Sequence, residues 1–230
     1  MKLAIWSDLH LNFYSNPEGV LQKLQGIDFD LFICAGDITT ITASFNPFNW
    51  LNENKIRTLY VPGNHDYYHS SLSYGNNYYK IMNYEYVTIL NNSSKVIDGI
   101  KFSGTPLWFQ GEENPYLNDF NYIKGFSDYI VRENKKCLKF IKNECLDSDV
   151  IVTHHIPHKD LITPRFRGMD FNKYFCCYAC EKYSSSTLAK LWVFGHTHDK
   201  VDSVINKTRF VCNPLAYPSE EQNEVKIIEI

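Results

Sequence analysis

Five short runs of Asp, His and Asn, each directly behind an apolar stretch with strand character, constrain this chain more than any other feature. They are Asp8-Leu9-His10, Gly36-Asp37, Gly63-Asn64-His65-Asp66, Thr153-His154-His155 and Gly195-His196-Thr197-His198. Their apolar leads are Lys2–Trp6, Leu31–Cys34, Thr58–Val61, Val150–Val152 and Leu191–Phe194. Short β-branched and aromatic runs read as buried strands, so each polar run falls where a strand hands over to a loop. In an open α/β sheet the loops at the carboxyl ends of the strands are where ligand sites form. All five can converge on one rim.

The rest of the pattern alternates strands and helices. Strand Lys2–Ser7 leads to a helical stretch near Pro17–Leu24, strand Leu31–Cys34 to a helix around Pro47–Asn54, and strand Ile56–Val61 follows. That βαβαβ start predicts a parallel sheet with right-handed crossovers. The middle is richer in β signals, at Tyr86–Leu90, Ser94–Ile97 and Ile100–Ser103, with Asp98-Gly99 as a hairpin turn. A helix near Asp128–Leu146, strand Asp149–Thr153 and a helical stretch around Cys177–Lys190 come next. Closing strands are expected at Leu191–Phe194, Thr208–Cys212 and Val225–Ile230.

Carboxylate, imidazole and amide oxygen without cysteine suit borderline divalent ions, with Mn²⁺ or Fe/Zn the expected metals. Asp8, His10, Asp37, Asn64, His154, His196 and His198 are more candidate ligands than one ion needs, since a single zinc takes about four. Two ions are the natural inference. The adjacent His154 and His155 point to opposite faces in extended chain, whereas His196 and His198, one residue apart, point the same way.

The order D-x-H, G-D, G-N-H-D, a later H and G-H-x-H, running from residue 8 to residue 198, resembles the calcineurin-like metallophosphoesterase superfamily. Thr105-Pro106-Leu107-Trp108 and Thr208–Pro214 extend the likeness to a small stand-alone branch of prokaryotic or viral type. The resemblance implies a four-layer α/β/β/α sandwich with two mixed sheets. It also implies that Asp8, His10 and His198 hold one ion, that Asn64, His154 and His196 hold the other, and that Asp37 bridges them. A hydroxide between the ions would attack phosphorus, with no phosphoenzyme.

By the same resemblance His65 is the proton donor to the leaving group, and Asp66 is either its carboxylate partner or a turn residue. His155 reads as a packed loop histidine or as a substrate contact. Arg165 and Arg167 read as a phosphate clamp or as solvated loop residues. The Tyr67-Tyr68-His69 and Tyr78-Tyr79 segments read as packing in preference to an aromatic rim, and Cys176, Cys177 and Cys180 as free thiols of a partly buried helix.

With 230 residues and no linker or repeat, a single domain over 1–230 is expected. A net charge of −3 offers no broad basic surface for a long nucleic acid. No apolar run approaches the about 20 residues of a membrane span. The first strand begins almost at once, which leaves no room for a cleavable leader, and seven cysteines suit a reducing compartment. The expected location is the cytoplasm.

Ile38-Thr39-Thr40 replaces the Asp-Arg-Gly that protein Ser/Thr phosphatases carry after G-D, so a protein phosphatase is disfavoured. The expected substrate is a small phosphate ester, a phosphodiester or a nucleotide. The alternatives are a nuclease and a catalytically silent binding module on the same fold.

Overall fold

The computed structural model describes residues 1–230. Strands β1 (Lys2–Trp6), β2 (Leu31–Cys34), β3 (Thr58–Tyr60) and β4 (Val87–Ile89) run parallel, and β11 (Lys226–Glu229) closes the edge antiparallel to β1. The second sheet has the order β5-β6-β7-β8-β10-β9, from β5 (Ser93–Ile97), β6 (Ile100–Thr105), β7 (Val150–Thr153), β8 (Leu191–Phe194), β9 (Val201–Ile205) and β10 (Thr208–Cys212). Its four inner strands are parallel and both edges antiparallel. The β5–β6 turn places Asp98 and Gly99 at φ 52° and 82°, the left-handed pair that a tight hairpin requires.

Side chains alternate across each strand, and this sorts the interior into layers. Leu3, Ile5, Ile33, Val61, Val152 and Val193 belong to an aliphatic slab between the sheets. Their neighbours Trp6, Phe32, Tyr60, Ile151, Trp192 and Phe210 join a second, aromatic-rich cluster with residues of the outer helices. These helices are α1 (Pro17–Gln22), α2 (Pro47–Glu53), α3 (Leu72–Ile81), α4 (Asn118–Tyr122) and α5 (Phe126–Phe140). Asn16 and Asn46 cap α1 and α2, with Pro at the first turn of each. Helices outside two face-to-face sheets make the α/β/β/α sandwich. Each fully buried aliphatic side chain is worth about 1.5–3 kcal/mol, so the slab holds the carboxyl ends of both sheets in a fixed relation.

Two local expectations change, and a helix forms where none was expected. The stretch Cys177–Lys190 is not a helix: it holds a turn at Tyr178–Cys180 and one helical turn at Glu181–Ser184. Ser184 and Ser186 bond their hydroxyls back to the carbonyls of Glu181 and Lys182, which competes with helix continuation. The helix expected to reach Leu146 ends at Phe140 and passes into a wider turn over Ile141–Cys145. Helix α3 carries weak helix formers, Gly75, Asn76 and Asn77. It forms because Ser71 caps it and because only glycine lets position 75 meet Tyr67, where a Cβ would lie 2.4 Å from the ring.

Candidate metal centre

The carboxyl ends of β1, β2, β3, β7 and β8 bring the five polar runs together. The loops are laced by their own backbones: Asp8 N–H donates to Gly36 O (3.0 Å), His10 N–H to Asp37 O (2.9 Å) and Gly195 N–H to His154 O (2.9 Å). Asp8, His10, Asp37, His196 and His198 all have positive φ, between 45° and 69°. His196 and His198 are therefore not in extended chain, and the expectation drawn from strand alternation gives way to a left-handed loop. Asp, Asn and His enter that region most readily among non-glycine residues; each such residue costs of order 1–3 kcal/mol, a strain that tends to cluster at functional sites. Close approach explains the glycines. A Cβ at Gly36 would lie 2.1 Å from His154 Nδ1, and one at Gly63 2.1 Å from Asp37 Oδ1.

Three groups of donor atoms lie within 4.8 Å of one another: Asp8–His10–His198, Asp37–His154–His196 and His10–Asp37–His65. Asp37 Oδ2 faces both sides, 3.4 Å from His154 Nε2 and 3.9 Å from His10 Nε2. Asn64 Oδ1 lies 2.9 Å from His154 Nε2, and His10 Nε2 lies 2.9 Å from His198 Nε2. Asp8 and Asp37 are buried close to one another, and their only ion-pair partners are histidines.

The electrostatics fit cations here. Burial drives the His10 and His196 imidazoles well below their ordinary value, so both are neutral with a lone pair free. Burial works to raise the Asp37 carboxyl, yet the histidines around it, His154 above all, outweigh it and hold Asp37 well below the carboxylate range. His154 moves the other way: burial lowers it, but Asp37 beside it raises it overall. Its Nδ1 meets Ala35 O at 2.9 Å, which fixes the ring. A proton on Nε2 then occupies the direction a cation would take, and cation binding releases such a proton. Oxygen and imidazole donors around two buried carboxylates suit divalent ions.

The remaining expected residues separate. His65 is packed face to face on Tyr68 (centroids 4.1 Å, 29°), and its backbone N–H donates to Asp37 Oδ1. Burial lowers its pKa to about 4. Asp66 does not pair with the His65 ring. It accepts from the backbone of Asp37 (3.0 Å) and Gly63 (2.8 Å) and from the hydroxyls of Tyr60 and Tyr79, so it is a turn carboxylate that fixes the Asp37 loop. His155 is buried, with Nδ1 at 3.0 Å from Pro106 O and its ring 4.4 Å from that of His196. Arg165 reaches the cleft but is paired with Asp199. Arg167 lines a different cavity with Lys159 and Lys173 and donates to Ile162 O, so the two arginines form no joint clamp.

Four contributors carry no motif in the sequence. Glu220 accepts from His198 Nδ1 at 2.8 Å and from the Tyr217 N–H at 3.0 Å. Asp119, on α4, accepts from Asn64 Nδ2 and Tyr68 Oη, each at 2.8 Å, and so aims the Asn64 carbonyl oxygen at His154. Tyr68 therefore does more than pack. Tyr217 lies over His10, and with Phe166, Phe175 and Tyr116 it walls a cleft of about 330 Å³ whose floor is Asp37, His196 and His198. The cysteines at 176, 177 and 180 are buried free thiols.

Comparison with known proteins gives the family and the fold. The family model for calcineurin-like phosphoesterases matches residues 1–200. The chain is similar to an uncharacterised protein of Acanthamoeba polyphaga mimivirus, 27% identical over 94% of this chain and 91% of that protein. Its fold is similar to that of phosphopantetheinyl hydrolase from Mycobacterium tuberculosis, with TM-score 0.72 at 14% identity, covering 99% of this chain and 95% of the other. A Staphylococcus aureus protein described as a 5'-nucleotidase superposes with TM-score 0.50 at 14% identity, over 99% of this chain and 52% of that one.

Proposed function

Because this chain belongs to the calcineurin-like phosphoesterase family, metal-dependent hydrolases of phosphoesters, we propose that it holds two divalent ions and hydrolyses a small phosphodiester or nucleotide. The observation that carries this reading is Asp37, whose Oδ2 faces His154 on one side and His10 on the other. Asp8, His10 and His198 would hold one ion, Asn64, His154 and His196 the second, and Asp37 both. The donor set suits Mn²⁺ or Fe/Zn. When bound, two such ions supply an activated water nucleophile and neutralise charge on the phosphoryl oxygens.

The protein's own residues do the rest. His65 stands beside Asp37 at the cleft wall; the negative charge of a bound phosphate would raise its imidazole from the low value that burial imposes, so that Nε2 can give a proton to the leaving-group oxygen. Arg165 supplies a cation at the rim that can turn from Asp199 to a phosphate. Neither serine nor cysteine lines the cleft, and its histidines and Asp37 are assigned to the ions or to proton donation, so a water nucleophile without a phosphoenzyme is the reading that fits the lining. A cleft of about 330 Å³ suits a small ester, and two similar folds bear the names of phosphoester hydrolases. No helix is long and apolar enough to cross a membrane. Seven buried free thiols fit a cytoplasmic setting.

The test is turnover. Chain loaded with Mn²⁺ is expected to hydrolyse bis-p-nitrophenyl phosphate and at least one member of a panel of nucleotides and cyclic nucleotides, and to lose that activity with a chelator. Two bound ions with no turnover of any ester would replace this reading with the silent binding module.

A further inference from the structure

Beyond β10 the chain forms a strap back across the site. Leu215 N–H donates to Ser7 O (2.9 Å), Ala216 N–H to Asp8 O (3.0 Å), and Tyr14 Oη to Ala216 O (2.9 Å), while Ala216 turns through a left-handed φ of 73°. Those contacts fix the backbone immediately before Tyr217. Its ring stacks on His10 (centroids 4.3 Å, 21°) with the edge of Phe13 at 5.0 Å. Its hydroxyl lies 3.3 Å from His65 Nε2. On the His65 ring that is the one side-chain hydrogen-bond partner, since Nδ1 is buried without any.

We propose that Tyr217 is a positioning residue for His65, its hydroxyl keeping the Nε2 edge of the imidazole turned to the cleft until a leaving-group oxygen takes over the hydrogen bond at Nε2. Stacking on Tyr68 fixes the plane of the His65 ring but not which edge faces the cleft. A hydrogen bond to one ring nitrogen does that. The contact also lies at accessible space: His65, Tyr68, Asn118 and Tyr217 line both the cleft above Asp37, His196 and His198 and a second cavity. A leaving alcohol placed between those spaces meets the His65–Tyr217 pair.

This inference rests on the proposed role of His65, and Tyr217→Phe tests it because the ring over His10 is kept. With metal-loaded protein the variant is expected to lose roughly 5–10-fold in kcat on an alkyl ester, about what one hydrogen bond supports. KM should stay within about twofold, and a nitrophenyl ester, which needs little protonation, should be nearly unaffected. In a His65→Ala background the added Tyr217→Phe should cost nothing more. Wild-type kcat on the alkyl ester, or a full second loss in the His65→Ala background, would overturn the proposal. Imidazole ¹⁵N spectra of the zinc-loaded protein decide it separately from turnover. The His65 Nε2 resonance should move in Tyr217→Phe while those of His10 stay, and an unmoved His65 resonance overturns the contact even if no ester proves to be a substrate.

Discussion

Around Asn64, His154 and His196 the site is packed into the fold, whereas around Asp8, His10 and His198 it is completed by a strap near the end of the chain. In the first half His154 is anchored to Ala35 O and Asn64 is held by Asp119, a buried carboxylate that also takes the Tyr68 hydroxyl. In the second half His198 is held by Glu220, whose side chain is 42% exposed. The donor chemistry is alike, but one half is oriented by groups that water cannot replace and the other by a group that water can. Removing a buried partner leaves donors unsatisfied, while removing an exposed one leaves them hydrated.

The largest effect is expected where the halves meet. Asp37→Asn should weaken both ions together and depress turnover by more than the about 10–100-fold typical of losing an outer support, with metal content per chain as the readout. One ion fully retained beside normal catalysis would separate the halves and remove Asp37 as their link. Next, Asp119→Ala should lower the affinity of one ion by roughly 10–100-fold. It should also cost about 1–3 kcal/mol in a denaturant melt, because the Asn64 amide and the Tyr68 hydroxyl lose a buried acceptor. If stability and both ions survive, the buried half is not set by Asp119.

Glu220→Gln should act on the other ion and more weakly, less than about tenfold in affinity, with an unchanged melt. Calorimetric titration distinguishes this from a loss as large as that of Asp119→Ala, which would erase the contrast between the halves. Smallest is Arg165→Ala, expected to raise KM a few-fold without altering metal content, while Arg167→Ala should change neither, since Arg167 faces a separate cavity.

The convergence of the five polar runs was legible in the sequence because a candidate ligand must be a particular residue type at a strand end, and the strands announced themselves by apolar content. Supports are not so constrained. Asp119 and Glu220 act through single hydrogen bonds from segments without a motif, and any acid brought there by the fold would do. The backbone of the loops was equally hidden: His196 and His198 are left-handed, and sequence alternation describes only extended chain. Asp66 shows the same limit, since adjacency to His65 suggested a partnership that the turn directs instead to Gly63, Asp37 and two tyrosines. Helix α3 arose from packing on Tyr67 against its own weak propensity.

The most direct test is the anomalous scattering of manganese in crystals of the loaded wild-type protein. Two peaks are expected, roughly 3.5–4 Å apart, one among Asp8, His10 and His198, the other among Asn64, His154 and His196, with the Asp37 carboxylate in contact with both. A single peak at full loading, or two peaks of which Asp37 touches only one, would contradict the bridged two-ion site.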